Sequence, residues 1–288
     1  MRLCFIGLGT MGLPMALRLQ DKGFDLVAWD LLPTAGEGLK QRAETLEDAI
    51  GDAEVILTML PDGDAVAAVH DRIQKAKLEP GRLFLDCSTI DVARTRALAE
   101  RARAAGHGFV DAPVSGGPEG ARQGVLSFML GGEADDLQRA QPLLKAMGMK
   151  ITAFGAAGAG QAAKACHNMI CGITALGVCE AFALAEALGL DADKFFALCK
   201  GAAAQSWILE NRCPVPGPAP EAPASNGYTP GFAARLMAKD LRLAQDAALD
   251  SGQETPFGAL AARRFTAFAE AGGGDLDFSA IYRTIRKP

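Results

Sequence analysis

The sequence has no block of basic residues, no C-x-x-C pair, no internal repeat and no histidine–cysteine spacing suited to a metal. Each absence removes a class of function. A net charge of −5 without a basic stretch offers no electrostatic footprint for nucleic acid or an anionic membrane. The seven cysteines (4, 87, 166, 171, 179, 199 and 213) are odd in number and lie mostly inside apolar segments. They read as reduced core thiols of a cytoplasmic protein, not as a disulfide framework. The three histidines, at 70, 107 and 167, form no ligand pattern with them, and Cys166 beside His167 reads as packing, so no metal is expected. The chain passes from Met1 directly into a strand pattern, which leaves no room for a signal or transit peptide. The longest uncharged helical run, 165–179, is short for a bilayer span and contains His167 and Asn168.

What is present is ordinary globular composition over 288 residues, 49% hydrophobic and 22% charged, enough for one or two domains. The first half alternates β-like runs (2–6, 25–29, 54–60, 82–86, 109–112, 126–130) with helical stretches. Several runs are continuously apolar, as strands covered on both faces are, which predicts a mainly parallel sheet with right-handed crossovers. After about Phe154 the strand signal stops. Helices are predicted over 161–189, 191–203, 206–211, 231–250, 255–271 and 277–285. The reading is therefore an α/β Rossmann-type domain over 1–160, joined by a long helix to an all-α domain over 161–288. That helix would be about 40 Å long, enough to run across two domains. The pattern of the helical half is broken by six prolines within 213–230, which exclude helix there and mark a surface connection or a functional flap.

Gly7-Leu8-Gly9-Thr10-Met11-Gly12 follows the first strand and opens a helix. A G-x-G-x-x-G alone is weak, but in this context it permits a tight turn and close approach of a pyrophosphate to a helix N-terminus. Asp30 ends the second strand, the expected distance on for an acidic residue that accepts hydrogen bonds from a ribose diol. Its charge repels a 2′-phosphate, and no Arg or Lys follows within 31–38, so NAD is predicted over NADP. The loops 60–65 and 86–91 follow the third and fourth strands. From them Leu60 and Pro61 could pack on the cofactor, and Ser88 or Thr89 could reach the nicotinamide end. Ser115-Gly116-Gly117 follows another strand and offers consecutive N–H groups with little bulk, a nest suited to a carboxylate. On the long helix, Lys164 and Asn168 are one turn apart in apolar company, and Lys239 interrupts the stripe of Phe232, Leu236 and Leu243. Two lysines on core-facing stripes suggest a shared polar cleft.

Taken together, G-L-G-T-M-G-L-P-M-A, D-A-P-V-S-G-G, G-A-G-Q-A-A-K and K-D-L resemble the β-hydroxyacid dehydrogenase family over essentially the whole chain. D-C-S-T-I, A-P-A-S-N-G-Y and R-L-M-A-K-D-L are most similar to its 3-hydroxyisobutyrate dehydrogenase branch, which serves valine catabolism. The resemblance implies that Lys164 is the catalytic residue and that Ser115, Gly116, Gly117 and Asn168 bind substrate. It implies NAD contacts from Leu60, Pro61, Ala65, Thr89 and Lys239. It also implies a small 3-hydroxy acid as partner and a homodimer or homotetramer built by the helical domain. Burial would lower the pKa of Lys164 and let it exchange protons near neutral pH. Reductases of tartronate semialdehyde or glyoxylate, and serine-type 3-hydroxyacid dehydrogenases, share this scaffold. A non-catalytic nucleotide-binding module is the reading from another class. Two positions depart from the family pattern: His167 stands where an Asn pair usually begins, and Arg18 where the glycine-loop helix often carries Asn.

Overall fold

The computed structural model describes residues 1–286, which divide into two compact units, Met1–Lys164 and a second beginning at Ala165. In the first unit the chain runs β1 (Arg2–Ile6), α1 (Gly12–Asp21), β2 (Asp25–Trp29), α2 (Leu46–Ile50), β3 (Val55–Thr58), α3 (Gly63–Lys75), β4 (Leu83–Asp86), α4 (Val92–Ala104) and β5 (Gly108–Asp111). It continues through β6 (Val114–Ser115), α5 (Gly117–Gln123), β7 (Leu126–Gly132), α6 (Ala134–Met147) and β8 (Gly148–Gly155). The eight strands form one sheet in the order β2-β1-β3-β4-β5-β7-β6, with β8 paired to β7.

The apolar runs are continuous because the sheet is covered on both faces. In β1, Leu3 and Phe5 join one layer with Met15 and Leu19 of α1 and Leu143 and Leu144 of α6. Cys4 and Ile6 alternate to the other layer, with Leu46 and Ile50 of α2, Val66 of α3 and Leu98 of α4. Phe5 has no solvent exposure, and burying such a side chain stabilises by roughly 1.5–3 kcal/mol. Strands β2, β1, β3, β4 and β5 are mutually parallel, so their carboxyl ends and following loops share one end of the sheet. The order in which strands are added reverses at β1, with β2 on one side and β3 on the other, and this is the switch point at which open α/β sheets bind ligands.

Sequence periodicity does not reveal β6 or β8. The first has two residues, too few for a period, and the second is an edge strand exposed at most positions, without the apolar run that marks its neighbours. Strand β7 runs antiparallel to both β5 and β6, so the sheet is mixed at this edge.

The long helix α7 spans Ala159–Ala187, and the second unit continues with α8 (Ala192–Lys200), α9 (Trp207–Asn211), α10 (Ala234–Ser251) and α11 (Pro256–Phe268). Two expectations need correction here. The proline-rich segment is not a surface loop: Ala222, Ala224 and Tyr228 lie in the core of this unit, and Tyr228 Oη donates to Pro214 O (2.7 Å). It also contains a 3₁₀ turn at Pro223–Asn226, which begins with Pro, where the missing N–H forfeits no bond. The helix expected at 277–285 is a 3₁₀ helix, Phe278–Thr284, started by the fully buried Asp277, which accepts from the backbone N–H of Ser279, Gly231 and Phe232.

The expectation that the apolar part of α7 falls short of a membrane span does not extend to the whole helix. With 29 residues and a mean hydropathy of 1.6 in its most apolar window, it passes that test by length and composition. Ala175, Leu176, Cys179 and Phe182 use that apolarity to pack in the core of the second unit.

Candidate functional site

The glycine loop divides its labour among three positions. Gly7 has φ +96°, and a Cβ there would lie 2.4 Å from Met59 O. A Cβ on Gly12 would lie 1.9 Å from Gly7 O, so α1 can start close under β1 only with glycine at that place. Gly9 is different: a Cβ would meet nothing within 4 Å. The fold itself does not demand glycine at 9, and the open space beside it is what a pyrophosphate approaching the backbone requires. The residues present therefore fit a dinucleotide. Leu8 is buried, Thr10 exposed and Met11 half-buried along this turn. Asp30, at the end of β2, accepts from Leu8 N (2.6 Å) through one carboxylate oxygen and from Leu32 N (2.8 Å) through the other. These bonds fix the carboxylate beside the loop and leave further lone pairs for hydroxyl donors.

The loops after β3 and β4 are bound to each other. Asp86 Oδ1 accepts from Thr58 Oγ1 (2.8 Å) and Ser88 N (3.1 Å), and Ser88 Oγ accepts from Leu60 N (2.9 Å). Ser88 is fully buried in this role. Of the two residues considered for the nicotinamide end, Ser88 is thus a structural tie, whereas Thr89 is half-buried. Pro61 is exposed and Ala65 half-buried in the first turn of α3, where Asp62 caps the helix by accepting Ala65 N (2.9 Å). Asp91 caps α4 in the same way through Arg94 N (2.7 Å). The acidic residues ending both loops are helix caps, each worth about 1 kcal/mol.

After β5 the chain turns through β6 into α5, with Gly116 (φ +131°) and Gly117 (φ +65°) in backbone regions that disfavour other residues. A Cβ on Gly117 would meet nothing within 4 Å. Ser115 and Gly117 are half-buried and Gly116 exposed. The N–H groups that open α5 have no partners inside the helix, which suits them to an anion.

Lys164 lies on α7 with 7% exposure, and its Nζ donates to Val114 O at 2.8 Å. Its Nζ is thereby held beside the residue preceding Ser115. The turn ahead of it is fixed by Asp111, whose carboxylate accepts from Gly158 N (2.7 Å) and Gln161 N (2.9 Å). Burial pushes the Asp111 carboxyl up to about 6, against the pull of these N–H donors, which favour its charged form. Neither Asp111 nor Gln161 has an assigned role in the sequence reading, although both stand inside the quoted motifs.

In the second unit, Asn168 is 4% exposed and donates through Nδ2 to Asp240, equally buried. Its Oδ1 lies 2.8 Å from His167 Nδ1, so the departure from the Asn pair keeps a ring nitrogen against the retained amide. Lys239 forms an ion pair with Asp240 (3.4 Å). Asp240 is thus the centre of a buried cluster that the K-D-L motif contained and the sequence reading did not assign. The other departure, Arg18, donates to Ala146 O (3.2 Å) and ties α1 to α6. Among the described residues no group of three or more His, Cys, Asp or Glu side chains could hold a metal.

Known proteins share the sequence and the fold of this chain. Residues 2–155 match the family model for the NAD binding domain of 6-phosphogluconate dehydrogenase, and residues 158–285 match that for the NAD-binding region of NADP-dependent 3-hydroxyisobutyrate dehydrogenase. The chain is 43% identical to the 3-hydroxyisobutyrate dehydrogenase of Pseudomonas aeruginosa, over 99% of this chain and 98% of that protein. It is 41% identical to the NAD-dependent L-serine dehydrogenase of the same organism, over 98% and 97%. A solved structure of Mycobacterium tuberculosis 3-hydroxyisobutyrate dehydrogenase with L-serine superposes with a TM-score of 0.92 at 41% identity, covering 99% of each chain. Two family models matched in order, together with full-length identity at this level, mean that the chain belongs to the 3-hydroxyisobutyrate dehydrogenase family of NAD-dependent dehydrogenases.

Proposed function

We propose that the protein oxidises 3-hydroxyisobutyrate to methylmalonate semialdehyde, the step that this chemistry supplies to valine breakdown. The observation that carries the reading is Lys164, a buried lysine in an apolar stretch of sequence whose Nζ is held against the strand that leads into Ser115-Gly116-Gly117. In this reading the neutral amine of Lys164 is the form that works in oxidation. In oxidation, Lys164 Nζ takes the proton from the substrate hydroxyl; in reduction it returns that proton to the forming alkoxide. When bound, NAD accepts the hydride from the carbinol carbon. The backbone of Ser115, Gly116 and Gly117 holds the substrate carboxylate, and Asn168 orients the hydroxyl region. Gly7 through Gly12 receive the pyrophosphate and Asp30 the adenosine ribose, while Leu60, Pro61, Ala65, Thr89 and Lys239 line the rest of the cofactor.

Residues 1–160 act in this reading as the NAD-binding domain and 161–288 as the substrate and oligomerisation domain. Exposed Ile170, Leu184, Leu198 and Phe257 suit the latter to self-association into a dimer or tetramer. The seven free cysteines suit a reducing cytoplasm.

L-serine is the second reading, favoured by a 41% identical relative named as an L-serine dehydrogenase and by the solved relative described with L-serine. Both acids present a carboxylate and a 3-hydroxyl; they differ in a methyl against an ammonium at the 2-position. The test is NAD reduction over a panel containing both enantiomers of 3-hydroxyisobutyrate and of serine, with glycerate. The highest kcat/KM is expected for one enantiomer of 3-hydroxyisobutyrate with NAD. A higher value for serine would move the assignment, and equal values with NAD and NADP would remove the role given to Asp30.

A further inference from the structure

The helix that carries Lys164 starts without a capping side chain of its own, since Gly158 stands at the position before Ala159. The acceptor oxygen that a Ser, Thr or Asp would normally supply there comes instead from Asp111, 47 residues earlier, at the end of β5. Asp111 is completely buried, and two glycines make room for it. A Cβ on Gly131 would lie 2.5 Å from Asp111 Oδ1, and one on Gly160 would lie 2.8 Å from Asp111 Oδ2. The same segment contributes a second tether three residues on, where Val114 O accepts from Lys164 Nζ.

Gln161 extends the tether in another direction. Its backbone N–H is bound by Asp111, while its buried side chain spans the loop after β4: Oε1 accepts from Ile90 N (3.2 Å) and Nε2 donates to Ser88 O (2.8 Å). Thr89 lies between those two bonds. Ser88 Oγ in turn holds Leu60 N. A single chain of buried and half-buried hydrogen bonds thus connects the first turn of α7, the end of β5 ahead of the nest, and the two loops assigned to the cofactor.

We propose that Asp111 and Gln161 are positioning residues for hydride transfer, setting Lys164 on α7 relative to the Thr89 loop. The inference rests on the reading of Lys164 as acid/base. Neither residue takes a proton or touches substrate in it. Their effect is on distance and angle, and a misplacement of about 1 Å can cost about 10²-fold in rate.

The test uses the full-length protein with Gln161→Met, which keeps length and volume but loses both side-chain bonds, and Asp111→Asn, which keeps shape but turns one acceptor into a donor. The measurements are the single-turnover rate of NADH formation with the best substrate of the panel, the primary isotope effect with deuterium on its carbinol carbon, NAD affinity and thermal melts. The expected result for Gln161→Met is a hydride-transfer rate about 10²-fold lower with an enlarged isotope effect, while NAD affinity and melting stay close to those of the native chain. A folded variant with a native single-turnover rate overturns the proposal. So does a loss that follows melting alone with an unchanged isotope effect, and so does failure of both variants to fold, because either marks the pair as a structural staple. Lys164→Ala measured alongside separates the two readings. A native kcat in that variant removes the acid/base role, whereas a loss there beside a native Gln161→Met removes only the positioning role.

Discussion

The two units hold their polar groups in different ways. In the first, the bonds that fix the site run almost entirely through backbone atoms: Asp30 to Leu8 N, Ser88 Oγ to Leu60 N, Gln161 to Ile90 N and Ser88 O, Lys164 to Val114 O. In the second, Asn168, Asp240, His167 and Lys239 are joined side chain to side chain on and between helices. The reason is architectural. Parallel strands end in loops whose N–H and C=O groups are not spent in the sheet, whereas helices consume their own and leave only side chains to form a cluster. A site anchored on backbone can lose one functional side chain and keep its shape. A cluster of buried side chains loses partners with every deletion.

The largest expected effect tests the first half of that contrast. Lys164→Ala should lower kcat by about 10²–10⁴-fold, with a melt close to native because its anchor is a backbone carbonyl. Lys164→Arg should not restore the rate, since guanidinium does not release its proton at working pH. A near-normal kcat for the Arg variant in steady-state kinetics would end the acid/base assignment.

Asp240→Leu tests the other half. Removing one partner of a buried ion pair costs about 3 kcal/mol or more, so chemical denaturation should show a large loss of stability together with activity. Asp240→Asn, which can still accept from Asn168, should lose less. Equal stability of the Leu variant and the native chain would dissolve the contrast between the units.

A buried histidine gives a pH test within the first unit. Burial pushes the His70 imidazole down to about 4, with the positive charge of Arg101 acting in the same direction. Its folded pKa lies below its unfolded value of 6.5, so the unfolded chain binds the proton first as pH falls. Stability is therefore present above about 6.5 and lost towards pH 4, by about 3 kcal/mol from this group. Denaturation of His70→Phe across that range should show a flatter slope than the native protein; an identical slope would show that His70 is not the group responsible.

The smallest effect separates two glycines in one loop. Gly12→Ala should destabilise by about 1–3 kcal/mol, because its Cβ meets Gly7 O at contact too close to absorb. Gly9→Ala should leave the melt of the unliganded protein unchanged and weaken NAD binding alone. Calorimetric titration with NAD beside both melts decides it, and a destabilised Gly9→Ala would show that the open space there is needed by the fold.

Much of the first unit was readable in order. Continuous apolar runs mark strands covered on both faces, and glycines after β1 with an acid after β2 mark a dinucleotide turn. Strands β6 and β8 were not, because one is too short and the other too exposed to carry a period. The proline-rich segment misled for a different reason. Prolines forbid α-helix but not burial, and Tyr228 draws the segment into the core.

By itself the sequence determined that the chain opens with an NAD-type glycine turn in an α/β half, and that a lysine and an amide sit one turn apart on an apolar helix. These follow from local rules: what glycine permits, what a period of two or 3.6 implies, and what a charge does among apolar neighbours. Only the tertiary structure decided which groups hold those residues. That Asp111 caps a helix 47 residues later, that Gln161 clasps the loop around Thr89, and that Asp240 binds Asn168 from 72 residues away depend on contacts between distant segments. No local pattern encodes them, because a hydrogen bond between distant segments is fixed by where the folded backbone brings its ends, and that is set by the packing of the whole sheet and its helices.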